Sequence, residues 1–144
     1  MKKYKIIIVD IATSVILFLF VYAALSKIQD FEKFRVELGK SPILNAFSHI
    51  LAVVVPSFEV LLSVLLVIKR YQLFALYASF SLMVMFSAYI IVILKFSPYI
   101  PCSCGGILQN MTWNQHLVFN AVFVLLSAWA ILIYPNQNQD LIGQ

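Results

Sequence analysis

The sequence predicts an all-α membrane protein, an antiparallel four-transmembrane-helix bundle with a short amphipathic surface helix after the first span. Three observations predict it. Of 144 residues, 62% are hydrophobic and 11% are charged, and the mean hydropathy is +0.95, which leaves too little polar surface to coat a soluble globule. Four apolar runs, near 6–27, 45–68, 71–95 and 113–134, each reach the roughly 20 residues that cross a hydrocarbon core of about 30 Å. The chain is nearly used up by those spans, so one domain over residues 1–144 is expected, with no large soluble unit for independent catalysis.

The first run follows "MKKYK". A signal peptide is its rival reading, because "VYAALS" offers small residues to a peptidase. The run is longer than the usual apolar region of about 7–15 residues and carries Asp10, so a retained span is preferred. Asp10 is expected to pair with the amino-terminal lysines. After this span comes "IQDFEKFRVELGKSP", where Phe31, Phe34, Val36 and Leu38 alternate with charges in a way that suits a short helix lying on the membrane surface. Gly39 and Pro42 are expected to end it.

Basic residues near the span ends set orientation. Lys2, Lys3, Lys5, Lys69 and Arg70 flank one side, and Lys27, Lys33, Arg35, Lys40 and Lys95 the other, so a plain count is tied. The three lysines of the short amino-terminal tail break the tie, because the first helix usually dominates. Both termini are then expected in the cytoplasm, in a multi-pass protein of the inner (cytoplasmic) membrane. The first and third loops face outward.

The third loop holds the stretch "SPYIPCSCGGILQNMTWNQH", residues 97 to 116, with both cysteines of the chain, Cys102 and Cys104. Thiols outside the cytoplasm meet oxidants and can hold a disulfide. A bridge between these two closes a small strained ring around Ser103, and strained, exposed disulfides are the labile, exchanging ones. Pro101 holds Ile100 extended, and Gly105-Gly106 gives a partner room to approach the sulfurs. Thr112 and Gln115 have the spacing of a capping box, so the fourth span is expected to begin here and point its free amides at the loop, which favours a thiolate. Two other readings stay open. The cysteines can be small apolar loop residues. They can also bind a soft metal with His116, although two sulfurs and one imidazole fall short of a structural zinc set, and no metal is expected.

Several residues near that loop are candidates for its chemistry. His116 and Asn120 are four apart on the fourth span, so they share a face. His116 can serve as the base that makes a thiolate, with Asn120 holding its ring, or both can simply join helices. Trp113 can cover the sulfurs or a quinone ring, or anchor the helix at the interface. On the second span, Glu59 lies roughly 15 Å from the Lys69-Arg70 turn by helix rise, one turn from Pro56. A carboxylate at that depth is expensive unless neutral or paired. It can relay a proton or bind a quinone oxygen, and otherwise a neutral Glu59 bonded to Ser81 or Ser87 is expected. His49 can approach the loop from the outer surface, and Lys27 is expected to support a thiolate or to snorkel outward.

The order and spacing of "YAALSKIQDFEKFRVELGKSP" at 22–42, "PSFEVLLSVLL" at 56–66, "YIPCSCGG" at 99–106 and "MTWNQHLVFN" at 111–120 resemble one family. These residues look like the MauE/DoxX-like redox-associated membrane proteins, in the methylamine utilisation protein MauE-like form common in Bacteroidetes. The resemblance covers roughly residues 6–134. It implies a small four-helix membrane protein that supports the maturation of an exported partner, as the namesake does for methylamine dehydrogenase, whose small subunit is rich in disulfides. It therefore implies thiol–disulfide exchange or electron transfer with an exported or membrane-bound thiol protein. Quinone-linked oxidases such as DsbB and vitamin K epoxide reductase carry two cysteine pairs, whereas this chain has one. A relay would need a second protein or a quinone as cofactor. Readings from other classes are a non-catalytic subunit or chaperone that binds its partner through the same loop, and a small transporter with Pro56 and Glu59 on its path. The net charge of +4 suits lipid headgroups and gives no sign of nucleic acid.

Overall fold

The computed structural model describes residues 2–96 and 112–135. Five α-helices account for most of them, and no strand occurs among the described residues. They are α1 (Lys2–Gln29), α2 (Phe31–Lys40), α3 (Ser48–Val67), α4 (Gln72–Phe96) and α5 (Trp113–Ile133). A short 3-10 turn, Asn45–Phe47, leads into α3. Four segments, Lys2–Gln29, Asn45–Val67, Gln72–Phe96 and Asn114–Ile133, are long and apolar enough to cross a membrane. Helix is the form that such sequences must take in lipid, because it satisfies every mid-span backbone group within the segment itself.

Each span buries one stripe and gives the rest to lipid. On α1 the stripe is Val9, Ala12, Thr13, Ile16, Phe20, Ala24 and Lys27, recurring every three or four residues as a helix requires. Ala12, Ile16 and Phe20 meet Leu62 and Leu66 of α3, Ala75, Leu76, Leu82 and Met83 of α4, and Ala130 of α5 in one core. Phe18, Phe74, Leu125 and Leu132 point outward, as suits a chain solvated by hydrocarbon. Lipid is as apolar as leucine, so close packing of small side chains such as Ala12, Ala75 and Ala130 holds the helices together.

Helices α1 and α3 run in opposite directions, since Asp10 is ion-paired with Lys69 near one end and Lys27 with Glu59 farther along. Asp10 thus finds its cation across the helix pair, and not among the amino-terminal lysines as expected. A tight turn, with Tyr71 N–H bonded to the Ile68 carbonyl at 3.0 Å, joins α3 to α4. At the same end the Tyr134 hydroxyl donates to Gln72 Oε1 at 3.2 Å, which ties the close of α5 to the start of α4.

The surface helix forms, but it is folded onto α3. Phe34 and Leu38 are buried against Ala52, with Phe31, Leu44, Leu51 and Val55 packed around them. Val36, expected on the apolar face, is exposed, because a helix brings 31, 34 and 38 to one side and turns 36 away. Gly39 does not end the helix, which runs to Lys40 and stops at the extended Ser41 ahead of Pro42. Tyr89 of α4 donates to Ser41 Oγ at 3.0 Å and fastens this end to the bundle.

Candidate functional site

The buried ion pair of Lys27 and Glu59 is the polar centre of the described structure. Lys27 Nζ lies 2.9 Å from Glu59 Oε1, and the two side chains are 8% and 2% exposed. Helix direction explains how residues at different depths meet. Lys27 stands roughly 25 Å along α1 from Asp10, and Glu59 roughly 15 Å along α3 from Lys69. Side chains lean towards the amino terminus of their own helix, so on oppositely running helices Lys27 leans into the membrane and Glu59 leans out to meet it. The Phe34 ring of α2, its centroid 5.7 Å from Lys27 Nζ, covers the ammonium.

This arrangement differs from two expectations. Lys27 does not snorkel outward, and Glu59 bonds neither Ser81 nor Ser87, whose hydroxyls donate to the carbonyls of Tyr77 and Met83. A carboxylate at this depth is costly unless neutral or paired, and Lys27 is the cation that reaches it. The sequence signal for the pair was a carboxylate inside a span together with a lysine ending the span before it.

Pro56 lies inside α3 one turn before Glu59. Lacking an N–H, it leaves the Ala52 carbonyl without its helical donor. Ala52 and Pro56, with Ile28, Phe31, Val53, Ser57 and Val60, line an open apolar groove between α3 and the α1–α2 junction.

The amino end of α5 has the expected capping box. Thr112 Oγ1 accepts from Gln115 N–H at 3.4 Å, and Gln115 Oε1 accepts from Thr112 N–H at 3.0 Å. The box leaves the Trp113 and Asn114 amides directed out of the helix end. His116 follows in the same turn, half-buried, its N–H bonded to the Thr112 carbonyl at 2.9 Å. Asn120, one turn on, is buried on the same face. The structure thus joins Lys27 with Glu59, and carries His116 and Asn120 on one face of α5. His49 is exposed at the start of α3. Cys102, Cys104, Pro101 and Gly105-Gly106 lie outside the described residues, as does the side chain of Trp113. Among the described residues, no three His, Cys, Asp or Glu side chains gather as a metal cluster.

Comparison with curated proteins and with solved structures gives no match. One family does match, across most of the chain and over all four candidate spans: by residues 5–133, the chain belongs to the family of the methylamine utilisation protein MauE.

Proposed function

We propose that this protein is a single-domain, antiparallel four-helix bundle of the inner membrane that uses Cys102 and Cys104 for thiol–disulfide exchange with an exported partner. Both termini lie in the cytoplasm and the cysteine loop lies outside. The observation that carries the reading is the capped start of α5, which follows the cysteines closely in sequence and sets His116 within its first turn. Amides directed out of a helix start favour a thiolate held near them. Membership of a family named for methylamine utilisation supports a part in maturing another protein.

Written in the oxidising direction, a partner thiolate attacks one sulfur of the Cys102–Cys104 disulfide. The S–S bond breaks, its electron pair leaves on the other cysteine, and that thiolate takes a proton, for which His116 is the carrier. A second partner thiolate then displaces the first-attacked cysteine. The partner has lost two electrons and gained a disulfide, and this chain holds two thiols. Reversal gives the reducing direction. A quinone would accept two electrons and two protons from the dithiol. Toward a quinone, Asn120 could donate an amide hydrogen bond and Trp113 begins the same helix, while Glu59 keeps its carboxylate on Lys27.

Mixed-disulfide trapping tests this. Cys102→Ser and Cys104→Ser are expressed separately, quenched with acid and run on non-reducing gels beside the double variant. A reducible adduct in one single variant, absent from the double, supports exchange and identifies the attacking sulfur. If neither single variant gives an adduct and the wild type forms no disulfide under oxidant, the loop acts as a binding surface without exchange.

A further inference from the structure

Hydroxyls inside membrane helices commonly donate to the carbonyl four residues back. Six serines do so here: Ser14, Ser57, Ser63, Ser81, Ser87 and Ser127, at 2.7–3.0 Å. Two buried hydroxyls depart from that rule. Thr13 Oγ1 and Ser79 Oγ have no hydrogen-bond partner among the described residues, although Thr13 is 4% exposed and Ser79 fully enclosed. Glu59 Oε2 is in the same condition, because Lys27 takes the other oxygen. Three such atoms in one small bundle are costly in hydrocarbon, and buried water is the usual way that proteins satisfy them.

Their positions fall on one side of the ion pair. Thr13 is about one turn along α1 from Asp10, Ser79 about two turns along α4 from Gln72, and Glu59 roughly 15 Å along α3 from Lys69. Buried Ser63 and Ser127 lie at about the depth of Ser79 by the same helix rise. By helix rise, buried polar groups therefore occur at successive depths between the Asp10–Lys69 end and Glu59. On the other side, Phe34 covers Lys27 and α2 packs over it.

We propose that the bundle interior binds water at Thr13, Ser79 and Glu59 Oε2, and that this water lets Glu59 exchange a proton with the membrane face carrying Asp10 and Lys69. The proton arrives through water and adds to Oε2. The carboxyl becomes neutral, its Oε1 still accepts from Lys27, and the proton leaves by the same route. The titratable groups on the surrounding elements are Lys27 and Asp10 of α1, Glu37 of α2, Tyr89 of α4, and His116 with Tyr134 at the two ends of α5. Of these, Lys27 meets Glu59 directly.

The test uses the full chain carrying Cys102→Ser and Cys104→Ser in lipid vesicles, so its outcome is independent of thiol exchange. Infrared difference spectra should show a carboxylic C=O stretch that grows as pH falls and is missing from Glu59→Gln. Thr13→Val and Ser79→Ala should each slow deuterium exchange of that carboxyl about ten-fold, the cost of losing roughly one hydrogen bond along the route, and Thr13→Ser should restore it. In vesicles of uniform orientation, an external pH step should reach Glu59 faster when the Asp10–Lys69 face is outside. Absence of a Glu59-dependent band at any pH, exchange in both hydroxyl variants at the wild-type rate, or faster response from the α2 face would overturn the proposal.

Discussion

Lys27 of α1 and Glu59 of α3, 32 residues apart in sequence, meet at 2.9 Å inside the bundle and leave almost nothing of either side chain exposed. Removing one partner strands the other charge in a low dielectric, a loss of about 3–5 kcal/mol, whereas replacing both with apolar residues of similar volume is often close to neutral. Lys27→Met and Glu59→Leu should each destabilise the protein by about that amount. The double variant should lose far less than their sum. Unfolding in detergent, read as a double-mutant cycle, checks this, and additive losses would show that the two charges are independent.

Asp10 and Lys69 give the contrasting case. Their side chains are 44% and 64% exposed, so water and salt screen the pair. Asp10→Asn should cost no more than about 1 kcal/mol, and high salt should erase the difference from wild type. The same unfolding assay at two ionic strengths measures both.

Thr112 carries the cap of α5. Thr112→Ala should cost about 1 kcal/mol and free the first turn. Hydrogen exchange should speed up over residues 113–116 and stay unchanged near Ala130. A uniform increase along α5 would mean that the cap stabilises the whole helix and not its start.

If His116 carries the proton of a cysteine thiol, its charged form sits close to the thiolate and lowers that thiol's pKa. Removing it in His116→Ala should then shift the pH profile of cysteine alkylation upward. An unchanged profile would leave His116 as a packing residue.

Membrane-impermeant maleimide added to intact cells after mild reduction should label Cys102 or Cys104. Labelling that needs permeabilised cells would put the cysteine loop in the cytoplasm, where thiols are kept reduced, and would undercut exchange with an exported partner.

The spans were legible in the sequence because hydrocarbon imposes a length and a composition on any helix that crosses it. Expected runs of 45–68 and 71–95 correspond to Asn45–Val67 and Gln72–Phe96. The capping box was equally legible, since its two side chains bond within one turn and need no tertiary partner. Sequence also marked Glu59 as a carboxylate too deep to stand alone. It did not find the partner, because Ser81 and Ser87 were the hydroxyls expected to bond a neutral Glu59, and Lys27 was expected to support a thiolate or turn to the surface. Only the packing of α1 on α3 decided it: opposite helix directions aim the two side chains at each other, and α2 closes Phe34 over the lysine. The same packing tied Asp10 to Lys69 and folded α2 onto Ala52, contacts made between residues far apart in the chain that no local pattern specifies.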